Sequence, residues 1–147
     1  MTKDEEELKV IYSALDDCRR LIAAGKVQRW DVVKWGVTVN VALATAAAFK
    51  GSFNFVLLGV AVAIISGWLV LYYNRRITGA RNDASHLVDQ IQTRGIDYNS
   101  IVGKTSDYQK GPKYDFRELI IFMLILIISA ALPLLPAWMI STVKPVP

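Results

Sequence analysis

Residues 53–76 read FNFVLLGVAVAIISGWLVLYYNRR. Glycines aside, Asn54 and Ser66 are the only interruptions of an apolar run from Phe53 to Tyr73. The run closes on Trp68, Tyr72 and Tyr73 and is followed at once by Asn74, Arg75 and Arg76. A long uncharged apolar stretch that ends in aromatics and arginines marks a membrane-crossing helix. The rings prefer the bilayer interface and the guanidinium groups the water beyond it.

Working outward, a second such run extends from Leu119 to Val143, 25 residues without a charge. Pro133 and Pro136 should kink or end its regular helix, because proline lacks an amide donor and clashes with the preceding turn. A shorter run, Trp35 to Phe49, lies between Lys34 and Lys50. Its fifteen residues make roughly 22 Å of helix, short of a hydrocarbon core of about 30 Å. Snorkelling lysines, with Trp30 and Trp35 at the interface, lengthen the usable span. Only residues 50–54 separate this run from the next, which forces an antiparallel helical hairpin.

The fold class expected is therefore all-α: an integral membrane protein with three transmembrane helices, a hairpin plus a third span, and a cytoplasmic helical stalk. The boundaries expected are a cytoplasmic amphipathic helix over 1–29, a first transmembrane helix over 30–50 and an external turn over 51–54. A second transmembrane helix follows over 55–74, continued by a cytoplasmic helix over 75–94. A cytoplasmic loop over 95–117, a third transmembrane helix over 118–143 and an external tail over 144–147 complete the chain.

Charge fixes the expected orientation. Seven Lys/Arg precede the first run and eight lie between the second and third, against two, Lys50 and Lys144, on the other side. Basic residues stay inside, so the amino terminus and residues 74–118 should be cytoplasmic and the carboxyl terminus external, in a plasma (inner) membrane. The pI near 9.3 is then a topology signal. Nucleic acid is not expected as a partner, since no reader motif accompanies the charge. Arg75, Arg76 and Arg117 flank helix ends, where they can hold anionic lipid head groups.

Two apolar stripes lie on the cytoplasmic side. Leu8, Ile11, Tyr12, Leu15, Cys18 and Ile22 recur at spacings of three and four, up to Gly25, which marks an end or hinge. Ile77, Ala80, Ala84, Leu87 and Ile91 follow a heptad, and nothing between Phe55 and Thr93 forces a break. The stripes bury against each other within the chain, or against copies of themselves in a homo-oligomer.

Within the membrane, small residues matter because apolar burial does not drive helices together in lipid. Gly36, Asn40, Ala44 and Ala48 repeat every four residues on the first span, and Gly59, Ala63 and Gly67 do so on the second. These faces either zip the hairpin or make a subunit contact. Asn40 is the one strongly polar group near the middle of a span. It either hydrogen-bonds between helices, with Thr38, Thr45 or Ser66 as candidates, or lines a polar path in an oligomer. Asp31 and Lys34, spaced i to i+3, should pair.

No residue is expected to be catalytic, to ligate metal or to hold a cofactor. Gly103-Lys104-Thr105 resembles the end of a phosphate-binding loop, but the earlier glycine is replaced by Tyr98 and no strand precedes it. His86 falls at an outward heptad position, and Cys18 lies on an apolar stripe as core filler. Ser13, Ser66 and Ser129 have no base near them in sequence.

Trp30-Asp31-Val32-Val33-Lys34-Trp35 opens the hairpin and Tyr72-Tyr73-Asn74-Arg75-Arg76 closes it. With the polar amino-terminal helix and the long returning helix, residues 5–94 resemble SLATT-type bacterial membrane effectors. The resemblance implies a homo-oligomeric membrane effector or pore that perturbs permeability on a cytoplasmic signal in bacterial defence. Its partners would be the lipid bilayer and a cytoplasmic signalling component. The competing expectation is a structural or accessory membrane subunit that anchors a cytoplasmic protein.

Overall fold

The computed structural model describes residues 3–50, 53–94 and 112–135, and among them there is no strand. Three helices follow one another: α1 (Lys3–Lys50), α2 (Asn54–Thr93) and α3 (Pro112–Ala131). α1 and α2 are each long and apolar enough to cross a membrane. Only 22% and 28% of their most apolar windows are buried, whereas the core helix of a soluble protein would be mostly buried there.

Several expected boundaries move. α1 runs unbroken through Gly25, which neither ends nor hinges it. A single glycine costs a helix only about 1 kcal/mol, and the neighbours Leu21 to Lys26 are otherwise good helix formers. α3 begins at Pro112, not at 118, because proline with its fixed φ suits the first helical position. It ends at Ala131, as the residue before Pro133 is pushed out of the helical region. The Leu132 amide closes the last turn on the Ser129 carbonyl at 3.2 Å. Residues 95–111 of the loop expected over 95–117, the far part of the third span and the tail over 144–147 lie outside the described residues.

The chain divides into two compact units, one of 1–27 with 73–116, the other of 28–72 with 117–147. In the first unit α1 and α2 pair antiparallel within one chain. Ile11, Leu15 and Cys18 of α1 close on Ala84 and Ile91 of α2, with Tyr12, Leu87 and Val88 packed against them. Ile22, Ile77 and Ala80 form a second cluster. Leu8 is half-buried. Arg94 reaches Glu7 at 3.0 Å, an exposed pair that joins the end of α2 to the start of α1 and adds little energy.

Gly25 has a packing role in this unit. A Cβ there would lie 2.7 Å from Ile77 Cγ1, while a Cβ on Gly79 would meet nothing within 4 Å. Gly25→Ala should thus cost about 1 kcal/mol net, an overpacking strain of roughly 1–3 kcal/mol outweighing the gain in helix propensity. Gly79→Ala should stabilise by about 0.5–1 kcal/mol, having the gain alone. Thermal melts of both variants, followed by helical circular dichroism, check the opposite signs.

In the second unit the helices run up, down and up. α1 and α2 are antiparallel, with Gly36 beside Ser66 and Asn40 beside Gly59. α3 runs parallel to α1, with Arg29 meeting Glu118 and Asn40 meeting Ser129. Val33, Val70, Phe122 and Leu126 form the apolar core. The polarity is otherwise reversed. Arg29, Asn40, Ser66 and Ser129 are buried, while Phe49, Leu57, Ile64, Trp68, Ile121, Leu124, Ile127 and Ile128 are exposed.

Candidate functional site

The chemistry-bearing residues of the second unit gather where α3 meets the α1–α2 hairpin. Asn40 is 0% exposed. Its Nδ2 donates to Ser129 Oγ at 3.0 Å, and that hydroxyl donates to the Leu126 carbonyl at 2.8 Å. The partner is therefore Ser129 and not Thr38, Thr45 or Ser66. Thr38 and Thr45 are exposed and donate instead to the carbonyls of Lys34 and Val41, at 2.9 and 3.0 Å in their own helix. Ser66 is buried, and its Oγ has no hydrogen-bond partner, nor has Asn40 Oδ1. A buried amide that donates to a neighbour while its acceptor goes unused is incompletely satisfied, a costly state away from water.

A second polar link lies nearer the start of α3. Arg29, 2% exposed, pairs with Glu118, whose side chain is 42% exposed. The guanidinium also sits 4.9 Å from the centre of the Phe122 ring, a cation–π distance. Trp30 meets the same ring edge-on, with centroids 4.9 Å apart. Both polar links span the same sequence separation, 89 residues. Positions 29 and 40 on α1, like 118 and 129 on α3, are three turns apart, so each pair shares one helix face. With equal spacing on both helices, the two links can be made together in only one register of α3 along α1, the kind of constraint that buried polar residues place on coiled coils.

The small residues distribute differently from a four-residue repeat. Gly36 and Gly59 are buried, Ala44 and Ala63 are half-buried, and Ala48 is exposed while Ala47 is buried. Steps of four overshoot the 3.6-residue turn by about 40° each, so three steps carry Ala48 off the face that Ala47 still holds. The same drift turns Gly67 away from α1. A Cβ there would sit 3.5 Å from Met123 Sδ of α3. Gly36 touches both neighbours, with its Cβ position 2.7 Å from Ser66 Oγ and 3.0 Å from Leu126 Cδ2. A Cβ on Gly59 would lie 3.3 Å from Asn40 Oδ1, 3.3 Å from Pro133 Cγ and 3.8 Å from the Ala130 carbonyl. The glycines thus make a seat for α3 as well as a hairpin zipper.

The remaining candidates fall where their surroundings dictate. Asp31 and Lys34 pair at 3.9 Å on the surface. Arg75, Arg76 and Arg117 are exposed, as is His86. Cys18 is buried in the first unit, and burial, then the charges of Asp83 and Asp17, raise its thiol pKa above the ordinary value. That holds it as the unreactive thiol. Among the described residues no group of His, Cys, Asp and Glu has the arrangement of a metal site.

Comparison with known proteins finds no matching family model, no matching curated protein and no matching solved structure.

Arg29, Glu118 and Ser129 are site residues that sequence reading passed over. Arg29 and Glu118 look like ordinary flanking charges, and Ser129 looks like a weak polar interruption of an aliphatic run. One signal was available: the pairs Arg29/Asn40 and Glu118/Ser129 have identical spacing along their helices.

Proposed function

We propose that the chain is a non-catalytic, multi-pass protein of the plasma membrane, with its second unit in the bilayer and its first in the cytoplasm. The observation that carries this reading is the reversed polarity of the second unit, with polar groups inside and large apolar groups outside. Water would penalise that surface and lipid would solvate it. The dimensions agree, since Trp30 to Lys50 covers about 30 Å of helix, the thickness of a hydrocarbon core. Exposed Trp30, Trp35, Trp68 and Tyr72 gather at one end of this unit, as an interfacial belt would. The basic residues of 74–118 support a cytoplasmic location for that end, with Arg75, Arg76 and Arg117 on anionic head groups.

Within this setting the role is that of a small effector, in keeping with the resemblance to SLATT-type proteins. Copies assemble in the membrane and raise its permeability when the cytoplasmic helices receive a signal. The half-satisfied Asn40 supports this reading, being a buried polar group with bonding capacity left over. A second reading, an accessory subunit that anchors a cytoplasmic partner, is favoured by the exterior of α2 and α3, whose exposed spans are aliphatic and aromatic. Such a surface gives one chain no wall for a water-filled path.

Fractionation and reconstitution test both. The protein should pellet with membranes, resist alkaline carbonate, and release dye from liposomes made with anionic lipid. Retention in membranes without dye release at any protein density would leave the anchoring role in place of the effector. Recovery in the supernatant would remove the membrane reading itself.

A further inference from the structure

We propose that α3 is an intramolecular plug in a self-association groove of the α1–α2 hairpin, and that a second copy of this chain takes its place when α3 leaves. The inference rests on the membrane reading above and names the assembly contact that the effector role requires.

The groove is lined by Gly36, Asn40, Gly59 and Gly67, and α3 fills it with Leu126, Ser129, Ala130 and Met123. Three glycines let any helix approach closely, and in lipid such contact is a main source of association. Seated there, α3 satisfies Asn40 only in part: Ser129 accepts from Nδ2, while Oδ1 is buried beside Gly59 with no donor. Ser129 spends its own proton on Leu126 and has none to return.

The unused acceptor selects the occupant. A carboxamide carries donors and an acceptor and complements itself. Two hairpins related by a two-fold axis along the membrane normal would bring Asn40 against Asn40 and satisfy both carbonyls. Each chain thus holds one interhelical amide bond in either state, but only the assembled state gives the Asn40 carbonyl a donor. An unrelated helix would need a donor placed at that depth, whereas a second copy always has one.

The test uses the full chain in liposomes at fixed protein-to-lipid ratio. Proximity of fluorescently labelled copies is read by energy transfer, and carbonate resistance and helical content are recorded for every variant. Ser129→Ala removes the acceptor for Asn40 and should raise the associated fraction about threefold, the value of one average interhelical hydrogen bond in a membrane. Leu126→Ala loosens α3 at Gly36 without touching a polar group and should act in the same direction, which keeps the test decisive if one variant fails to fold. Asn40→Leu combined with either change should return association to the wild-type level or below. No increase in whichever loosened variants insert and fold, or an increase that survives Asn40→Leu, would overturn the proposal. Loss of carbonate resistance in the unsubstituted protein would instead refute the membrane reading.

Discussion

Gly36→Leu is expected to cost the second unit about 3 kcal/mol or more, at the upper end of overpacking effects. Even a Cβ at Gly36 would fall 2.7 Å from Ser66 Oγ and 3.0 Å from Leu126 Cδ2. Neither neighbour can yield easily. Ser66 and Leu126 are both buried, and Leu126 belongs to the apolar core with Val33, Val70 and Phe122. A leucine there must part α1 from α2 or α3, and parting α1 from α3 weakens the Asn40–Ser129 bond one turn away. Ala48→Leu is the matched control: Ala48 was expected on the same packing face but is exposed. It should be neutral within about 0.5 kcal/mol, the usual range for surface positions. Unfolding in mixed micelles at rising denaturing-detergent fraction, followed by tryptophan fluorescence, measures both. Equal effects at the two positions would mean that the face turns as the four-residue repeat implies, against the observed drift.

That contrast shows what the sequence could and could not disclose. Spacings of three and four place a residue on a face with little ambiguity over a few turns. Ile11, Leu15, Cys18 and Ile22, with Ile77, Ala80, Ala84 and Ile91, could therefore be grouped before their contacts were known, and all are buried in the first unit. Faces extrapolated by a constant step drift over longer distances, which is how Ala48 and Gly67 were misplaced. Gly25 misled for another reason: glycine ends helices by adopting left-handed backbone, but it also permits close approach, and only the neighbour Ile77 tells the two apart. The contacts with α3 were the least legible. Residues 89 apart have no local signature, and a serine in an aliphatic run gives no hint that it meets an asparagine on another helix.

The charged link gives the other large expected effect. Glu118→Ala should destabilise the second unit by about 2–3 kcal/mol. Breaking a buried pair from one side costs roughly 3–5 kcal/mol, because the charge left behind stays desolvated. The value is discounted here because Glu118 is 42% exposed and partly screened, although Arg29 is only 2% exposed. Glu118→Gln keeps a hydrogen-bond acceptor and should lose less. The informative variant is the double change Arg29→Met with Glu118→Leu. Replacing both members of such a pair by apolar groups of similar size is often neutral or better, so the double variant should be more stable than Glu118→Ala alone. If the pair serves mainly to fix register, the double variant should retain stability yet lose a unique arrangement of α3. The edge-on contact of Trp30 with Phe122 supplies the readout, since a sliding α3 would broaden the environment of that indole. Undiminished stability in Glu118→Ala would mean that the carboxylate does little for Arg29. A single sharp Trp30 environment in the stable double variant would mean that Asn40 and Ser129 hold the register by themselves.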